Sequence, residues 1–334
     1  MALLRSLSTF KPDNFTLAIV AAVVIASLLP ASGAAAQIVH VATILAIALL
    51  FFLHGARLSR EAVVAGALHW RLHLLVLCST FVLFPLLGEA LRHTLGSFLP
   101  DSLLAGLMFL CLLPSTVQSS IAFTSIARGN VAAAVCSASL SNLIGIFLTP
   151  ALVALLMNLK GGVSLGSVVS IVLQLLAPFL AGHFLRPWIG AFVARHKAAL
   201  GFVDRGSILL VVYLAFSQAV LNGIWHVIGV ADLVKLVVVC ALLLAMVLAI
   251  TVTGARWFGF DRADEIAIMF CGSKKSLASG VPMASILFPL AQVGIAVLPL
   301  MLFHQIQLIV CAVLARRYAQ ANARQAAARE AQAA

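Results

Sequence analysis

Two adjacent lysines inside an apolar segment are the residues of this chain best placed to do chemistry. Residues 264–289 read DEIAIMFCGSKKSLASGVPMASILFP, and Lys274 lies nine residues after Glu265. At ~1.5 Å per helical residue this is about 14 Å, close to the middle of a ~30 Å hydrocarbon layer. An ammonium group at that depth costs roughly 2.5–3.5 kcal/mol, so Lys274 and Lys275 should face protein or water rather than lipid. Cationic groups at the midplane indicate transport.

The residues that flank the lysines predict a broken helix. Gly272 precedes the pair, and Pro282 leaves the carbonyl of Ala278 without its helical donor. Irregular backbone at membrane depth is tolerated only where it lines a cavity or is buried in protein. We therefore predict helix breaks at Gly272 and Pro282, with the hydroxyls of Ser273 and Ser276 beside the lysines.

A second apolar segment is interrupted at the same depth. Residues 114–120 read PSTVQSS, and Ser119 lies nine residues before Arg128 at the expected inner surface. Pro114 marks this break, and half-helix N-termini would offer free N–H groups and a positive dipole end to an anion. If the two broken helices cross, the substrate or coupling site comprises Gln118, Ser119, Ser120, Ser273, Lys274, Lys275 and Ser276. The alternative is a tolerated kink, with a lysine paired to a carbonyl or to Glu89.

Weaker candidates are polar residues within other spans. Asn142, Gln174 and His304 could face the cavity, although interhelical hydrogen bonding is the commoner role of such residues in membranes. The six cysteines lack metal-type spacing, and neither an HExxH nor a P-loop motif occurs. We expect neither an enzyme nor a resident cofactor or metal.

The composition indicates a polytopic membrane protein. The 334 residues are 63% hydrophobic and 9% charged, against about 25% charged in soluble domains, and the mean hydropathy is +1.15. The net charge of +11 does not predict a nucleic-acid partner, because the basic residues lie singly in short loops. The expected partners are the lipid bilayer and an organic anion, and no oligomer is required.

Ten apolar runs predict ten transmembrane helices in an all-α protein. They lie near 14–30, 37–54, 70–91, 102–127, 131–157, 165–187, 206–222, 231–256, 264–288 and 291–315. If both termini are cytoplasmic, sixteen basic residues fall in inside segments and three in outside segments. This asymmetry predicts a multi-pass protein of the cell (plasma or inner) membrane, and the Ala/Arg-rich tail is expected to fray. A cleavable signal peptide ending near Ala36 would instead leave nine spans.

The spans divide into two halves of five. We predict an N-terminal segment 1–13, a first repeat 14–157, a second repeat 158–315 and a tail 316–334, the repeats offset by roughly 155–160 residues. An odd number of helices per half inverts the second half, as in many secondary transporters. The interrupted segments then lie at equivalent places, in helices 4 and 9, which is the usual position of a transporter's binding site.

These segments resemble the bile acid:sodium symporter superfamily. Residues 114–120, 127–130 (ARGN) and 148–150 (LTP) are similar to the family's Pro-Gly-Gly-Thr-Ala-Ser-Asn, Ala-Arg-Gly-Asp and Thr-Pro signature. Residues 270–276 (FCGSKKS), followed by 280–283 (GVPM), are more similar to a divergent SBF-like subgroup around sodium/bile acid cotransporter seven. The resemblance covers residues 14–315 and implies a ten-helix fold with broken, crossing fourth and ninth helices.

The chain departs from the family at the sodium ligands that the resemblance implies. The family's sodium-binding Glu corresponds to Phe270, and its neighbouring Gln and Asn correspond to Lys274 and Lys275. Two hydroxyl ligands on the fifth helix correspond to Ala134 and Ala138. Sodium requires oxygen donors, so we expect no strict sodium requirement.

Two residues of the first break keep the family's pattern better. Ser119 retains a ligand-type hydroxyl, and Ser120 stands near the family's Asn. With or without these ligands, sodium and the proton are the candidate coupling ions. Because burial disfavours the charged form of an amine, a midplane lysine could release its proton during the cycle; alternatively, it stays charged and attracts the anion.

The expected function is secondary active transport of a small or amphipathic organic anion by alternating access, with symport as in the family. A transport-incompetent regulator of another membrane transport system is the alternative. Counterflow of a solute in proteoliposomes would distinguish the two.

Overall fold

The described part of the chain is helical, with no strand. The computed structural model describes residues 14–57, 69–157 and 165–333. The helices up to the middle of the chain are α1 (Asn14–Leu28), α2 (Gly33–Arg57), α3 (Trp70–Thr94), α4 (Asp101–Leu112), α5 (Gln118–Ile126) and α6 (Val131–Leu156). Those that follow are α7 (Leu165–Arg195), α8 (Lys197–Leu221), α9 (Ile224–Val227), α10 (Val230–Trp257), α11 (Arg262–Gly272), α12 (Leu277–Leu287) and α13 (Leu290–Ala333).

The helices have the length and surface of a polytopic membrane protein. Among the described residues, six helical stretches are long and apolar enough to cross a membrane, in α2, α3, α6, α8, α10 and α13. Leu17–Leu28 in α1 and Asp101–Leu112 are shorter apolar helices. Large apolar side chains point outward, for example Leu28 and Trp188, which are 74% and 76% exposed. Such a surface is suited to lipid rather than water.

Apart from α13, which continues beyond the predicted end at residue 315, the bounds of these helices follow the predicted spans, with the largest differences at α7 and α8. The sixth span was expected to end at residue 187, but α7 continues to Arg195, and α8 begins at Lys197 rather than near 206. α7 runs through Pro178 and Pro187. Proline is tolerated within membrane helices where neighbouring groups satisfy the freed carbonyls.

The chain is unwound at Pro114 and directly after Gly272. Residues 113–117 separate α4 from α5, and residues 273–276 separate α11 from α12. Pro282, however, lies inside α12, so the prediction of a break at this residue was wrong. The missing N–H of Pro282 removes one hydrogen bond, but Val281, Pro282 and Met283 are all buried, and packing holds the helix together around them.

Side-chain caps explain where several helices begin. The Asn130 side chain accepts a hydrogen bond from the N–H of Ala133 at the start of α6, and Asp261 accepts one from Asp264 at the start of α11. Ser276 accepts one from Ser279 at the start of α12. Each cap satisfies an N–H group that the first turn leaves without a partner. The capped start of α12 fixes the end of the second unwound segment.

Two glycines allow α2 and α7 to pack backbone against backbone. A Cβ atom added at Gly55 would lie 1.9 Å from the carbonyl oxygen of Phe179, and one added at Gly182 would lie 1.9 Å from that of Phe52. The contacts are reciprocal, so the two helices share a local two-fold arrangement at the crossing. Small residues at such positions permit close helix packing in membranes.

The tail, which was expected to fray, is helical in the described structure, where α13 continues to Ala333. Alanine, arginine, glutamine and glutamate are strong helix formers, and the membrane-embedded part of α13 supplies the nucleus from which the tail extends. The predicted N-terminal segment 1–13 and the loop that contains Lys160 lie outside the described residues.

Candidate functional site

The two unwound segments lie against each other in the interior of the bundle. The N–H of Ser276 donates to the carbonyl of Pro114 at 2.9 Å. The hydroxyl of Ser115 donates to the carbonyl of Cys271, and that of Ser120 donates to the carbonyl of Phe270 at 2.9 Å. These bonds join residues that are 150–162 positions apart in the chain, so they fix the relative position of the two unwound segments.

Serine hydroxyls cap the C-terminal end of α11. Besides Ser115 and Ser120, the hydroxyl of Ser79 on α3 donates to the carbonyl of Gly272 at 2.8 Å. The last carbonyls of a helix have no partner within the helix and carry its negative dipole end. Three of them are satisfied here by neutral donors, so Ser120 acts as a helix cap in the described structure.

An ammonium group caps the equivalent end of α4. The Nζ atom of Lys275 donates to the carbonyl oxygens of Cys111 at 2.9 Å, Leu113 at 2.7 Å and Thr80 at 2.8 Å. A lysine ammonium has three donors, and all three are used. Nζ also lies 4.1 Å from the ring centroid of Phe84, within cation–π range. Lys275 is fully buried and fully hydrogen-bonded.

The local sequence explains why these carbonyls are available. Residues Ser79–Leu83 form a π-helical turn in α3, in which the N–H of Phe84 donates to Ser79 rather than Thr80. Pro85 has no N–H for Thr80 either. At the end of α4, Pro114 lacks an N–H, and the N–H of Ser115 donates to the Ser141 hydroxyl at 3.0 Å rather than to Cys111. The ammonium replaces the missing helical donors.

A glutamine on α13 holds the backbone of Lys275. The side-chain oxygen of Gln307 accepts from the Lys275 N–H at 2.9 Å, and its nitrogen donates to the Lys275 carbonyl at 3.0 Å. The same nitrogen lies 2.9 Å from Nδ1 of His304, which is 8% exposed. His304 therefore supports the second break and does not line the cavity described below.

Lys274 has a different environment from its neighbour. Its side chain is fully buried, and its Nζ has no hydrogen-bond partner among the described residues. Nζ lies 4.1 Å from the ring centroid of Phe123 and 5.1 Å from that of Phe270. Phe270 stands where the resemblance places a glutamate, so an aromatic face replaces a carboxylate beside this amine.

The lysines were considered as partners of either a backbone carbonyl or Glu89, and the described contacts distinguish the two. Glu89 pairs with Arg92 at 2.7 Å and lies 3.1 Å from His93. The lysines do not pair with it, and Lys275 is bonded to carbonyls instead. The ammonium groups of the two lysines point to different sides of the unwound segment.

A cavity of about 900 Å³ lies beside the breaks and between two groups of helices. One wall is formed by α2, α7 and α8, and the other by α5, α6, α12 and Val117 of the first break. The first wall carries His54, Arg57, His183 and Arg186. Arg57 forms an ion pair with Asp204 of α8, which also lines the cavity. This wall is basic.

The second wall carries neutral polar groups. Gln118, Ser139, Asn142 and Ser279 line it. The Asn142 amide nitrogen donates to the carbonyls of Ser115 at 2.7 Å and Ala138 at 3.0 Å, and its oxygen accepts from Ser279 at 2.7 Å. Asn142 thus links the first break to α12 at the edge of the cavity.

The structure does not bring all the predicted site residues together. Gln118 and Asn142 line the cavity, whereas the two lysines are packed inside the bundle behind it. Gln174 is exposed and lies away from the cavity, in contrast to its prediction as a cavity contact, because it falls on the outer face of α7.

The remaining predicted serines have local roles. The hydroxyl of Ser273 donates to the Met269 carbonyl of its own helix at 2.6 Å, and Ser276 is the α12 cap. The hydroxyl of Ser119 is buried and lacks a partner within the described ranges. None of Ser119, Ser120, Ser273 and Ser276 lines the cavity.

The basic residues of the cavity were not predicted as site residues from the sequence. His54 and Arg57 lie near the end of a span, as do His183 and Arg186, and such positions ordinarily indicate interfacial residues. The available signal was their repetition, because both α2 and α7 carry a His-x-x-Arg sequence together with a Phe-x-x-Gly sequence, which overlaps it in α2 and directly precedes it in α7.

Comparison with known proteins places the chain in a family. The sequence model of the SBF-like CPA transporter family matches residues 13–320, which is nearly the whole chain. The chain belongs to this family. The resemblance to the bile acid:sodium symporters and their divergent SBF-like subgroup is thereby confirmed, and the protein is a member of a family of membrane transporters.

Three relatives match over most of their length. An uncharacterized protein of Pseudomonas aeruginosa is 59% identical over 93% of this chain and 94% of its own. YfeH of Escherichia coli (strain K12), which is provisionally named a symporter, is 59% identical over 92% of each chain. Sodium/bile acid cotransporter 7 of Danio rerio is 27% identical over 91% of this chain and 93% of its own.

Proposed function

We propose that the protein is a secondary active carrier that moves a small or amphipathic organic anion across the cell membrane by alternating access. The proposal includes ten spans in two inverted halves, with α4–α5 and α11–α12 as crossing fourth and ninth spans. It also includes cytoplasmic termini, which the asymmetric distribution of basic residues supports.

The cavity between the two helix groups is the observation that carries the proposal. Its volume of about 900 Å³ suits a small-molecule ligand, since such sites have volumes of roughly 300–1,000 Å³. A site between two packed groups of helices can be exposed to either side by movement of one group against the other. Arg57 and Arg186 on one wall favour an anion, and the N-terminus of α5 at Gln118 presents its positive dipole end on the other.

The relative from Danio rerio is named for sodium, but we propose that sodium is not the coupling ion of this chain. Phe270, Ala134 and Ala138 lack the side-chain oxygen atoms of the family's sodium site, and Ala134 and Ala138 are fully buried. Lys275 places a positive charge among three carbonyl oxygens, which is the kind of ligand set that a monovalent cation would use. We infer that this ammonium serves as a permanent internal cation, so that no sodium ion is required.

Lys274 is the candidate for proton coupling. A buried amine without a hydrogen-bond acceptor is costly to keep charged, and only two phenylalanine rings favour the charged form here. In this version of the proposal, Lys274 binds and releases a proton during the transport cycle. In the other version both lysines stay charged, and the carrier exchanges one anion for another.

The test combines a ligand screen with transport in proteoliposomes. Organic anions are screened by the thermal stability of the purified protein in sodium chloride and in potassium chloride. The anion that stabilises most is then used for counterflow. We expect stabilisation in both salts and counterflow in sodium-free buffer.

Two further results separate the versions and the alternatives. Uptake driven by an imposed pH gradient without sodium would support the proton version, and exchange with little pH dependence would support the fixed-charge version. Uptake that saturates with sodium and vanishes in potassium buffer would contradict both. Absence of counterflow for every stabilising anion would favour a regulator over a carrier.

A further inference from the structure

We propose that Asp204 and the carried anion bind Arg57 in turn, and that the anion does so through a carboxylate group. When the anion holds Arg57, Asp204 takes up a proton, so a proton and an anion are carried together. The proposal rests on the carrier function above and names the charged group of the substrate, the residue that binds it and a proton site. It involves neither of the two lysines.

Arg57 and Asp204 face the same cavity from two helices. Arg57 is the last residue of α2, Asp204 lies in α8, and both line the cavity. The guanidinium donates from Nη1 to Oδ2 of the carboxylate, across 147 positions of the chain. The side chain of Arg57 is 28% exposed and that of Asp204 is 11% exposed. The arginine is therefore accessible to a ligand, whereas the carboxylate is nearly enclosed.

The ion pair is end-on rather than bidentate. It joins one nitrogen of Arg57 to one oxygen of Asp204. The other oxygen, Oδ1, is buried and has no hydrogen-bond partner among the described residues. A bidentate pair has two parallel N–H···O bonds and is stronger. A ligand that is free to orient in the cavity can form such a pair, whereas Asp204 is fixed to α8. The ligand can therefore compete with Asp204 for Arg57.

The resident partner of Arg57 shows which chemical group the site accepts. The planar fork of a guanidinium group matches the geometry of a carboxylate, and Asp204 places a carboxylate against it. A substrate carboxylate would replace like with like. Phe51 and Phe179 line the same cavity and offer an apolar surface to the rest of an amphipathic ligand. We infer that the carried anion is an organic carboxylate.

The contact between α2 and α8 does not depend on this ion pair. The hydroxyl of Ser207, one turn after Asp204 on α8, donates to the Ala46 carbonyl of α2 at 3.1 Å. Ile47 of α2 and Ile208 of α8 are buried in the same apolar cluster. The two helices therefore stay packed when Arg57 exchanges one carboxylate for another.

The exchange leaves Asp204 as a buried carboxylate without its partner. A buried charge that lacks a partner is costly, and protonation of the carboxylate removes the charge. The proton comes from the aqueous solution and binds a carboxylate oxygen of Asp204. It returns to the solution when the anion leaves and Arg57 rejoins the carboxylate. Anion binding and proton binding are linked in this way, so each strengthens the other.

Other titratable residues of the cavity lining compete for these roles. They are His54 on α2, and His183 and Arg186 on α7. Arg186 already has an interaction of its own. His54 is close enough to interact electrostatically with both Arg57 and Asp204. The helices α1 and α12 also pack against α8 but contain no titratable residue, and those of α13 do not line the cavity. The imidazole of His54 is therefore the rival proton acceptor that the experiment must exclude.

The test uses benzoate as the probe, and benzamide, which has the same ring without the charge, as the control. Binding to the purified full-length protein is measured by calorimetry near neutral pH. Two buffers with different heats of ionisation give the number of protons taken up. Because benzoate itself stays ionised under these conditions, we expect about one proton per benzoate bound. The affinity should then rise about tenfold for each unit by which the pH is lowered. Benzamide should bind about tenfold or more weakly, without a proton.

Asp204→Asn assigns the proton to this carboxylate. The amide has the same size, keeps an acceptor for Arg57 and does not titrate in this range. The variant should bind benzoate at least as tightly as the wild type, without proton uptake and with little pH dependence. Asp232→Asn is the matched control, because Asp232 pairs with Lys235 outside the cavity, and it should behave as the wild type. Asp204→Glu keeps a carboxylate and should keep the proton uptake, which tests the assignment even if Asp204→Asn folds poorly.

Four results would overturn the proposal. They are benzoate binding to the wild type without proton uptake, unchanged uptake in Asp204→Asn, and loss of uptake in Asp204→Glu. The fourth is absence of benzoate binding, since Arg57 would then not accept a ligand carboxylate. Loss of uptake in His54→Gln together with its retention in Asp204→Asn would assign the proton to the imidazole instead.

The outcomes for this site and for the carrier are distinguishable. Proton-linked benzoate binding that depends on Asp204 supports the site, whether or not counterflow occurs. Counterflow of another solute by a protein that does not bind benzoate would end this proposal and leave the carrier function standing. Anion exchange with little pH dependence would do the same.

Discussion

Replacing Lys275 by methionine should destabilise the protein strongly, whereas the same change at Lys274 should not. Lys275→Met removes the donors of three buried carbonyls, at Thr80, Cys111 and Leu113. A buried acceptor left without a partner costs about 1–3 kcal/mol, so three cost roughly 3–9 kcal/mol. Part of this is offset because the ammonium no longer has to be desolvated. We expect a net loss of about 3–5 kcal/mol, as for other buried charged groups that lose a partner.

Lys274→Met removes no hydrogen bond. The ammonium of Lys274 interacts only with the rings of Phe123 and Phe270 within the described structure, at roughly 0.5–2 kcal/mol. Methionine has a similar volume, can contact the same rings through its sulfur and carries no desolvation cost. The change should therefore be neutral or stabilising. Two neighbouring lysines are expected to respond in opposite ways.

The measurement is thermal unfolding of the purified variants, followed by the fluorescence of the four tryptophans. At about 2 °C per kcal/mol, Lys275→Met should lower Tm by roughly 6–10 °C. Lys235→Met is the control, because Lys235 is a partly exposed lysine in an ion pair with Asp232, and such pairs contribute about 0–1 kcal/mol.

Two results would refute this reasoning. One is a Tm of Lys275→Met within about 2 °C of the wild type, which would mean that the three carbonyls do not depend on the ammonium. The other is an equal loss in Lys274→Met, which would mean that Lys274 has a structural partner.

Three further predictions concern transport, packing and topology. Lys274→Met should abolish counterflow of the anion found in the screen while the protein remains folded, and wild-type counterflow in this variant would exclude Lys274 from the mechanism. Gly182→Ala should prevent the packing of α7 against α2 or lower Tm by about 6 °C or more, because its Cβ would lie 1.9 Å from the Phe52 carbonyl oxygen. Gly206→Ala is the control and should have little effect, because nothing lies within 4 Å of its Cβ. A cysteine at the exposed Ser32 should react with an impermeant maleimide from outside intact cells, and labelling only after permeabilisation would contradict the proposed topology.

Hydropathy located the apolar helices, and proline, glycine and polar residues within two apolar runs located the breaks. Runs of apolar residues must be helical in lipid, because every backbone polar group needs an internal partner. Pro114 and Gly272 interrupt two such runs, and the chain is unwound at both places. Pro282 was misjudged because a proline's effect depends on the neighbours that pack around the helix, and these are not visible in the sequence.

The candidate site was only partly predictable. Gln118 and Asn142 were identified because polar residues in apolar spans are few and stand out. His54 and His183 did not stand out, because they lie near helix ends where polar residues are common. Their significance depends on the contact between α2 and α7, because the two histidines are 129 residues apart in the chain.

By itself the sequence predicted two lysines and two broken helices within apolar segments. Only the tertiary structure decided what each lysine does, because the direction of a side chain on unwound backbone is set by the groups that surround it. For Lys275 those groups are three carbonyls left free by prolines and a π-helical turn, and for Lys274 they are two aromatic rings. The basic cavity likewise exists only because two glycines let distant helices meet. Composition and spacing specify the helices, whereas the contacts between helices create the site.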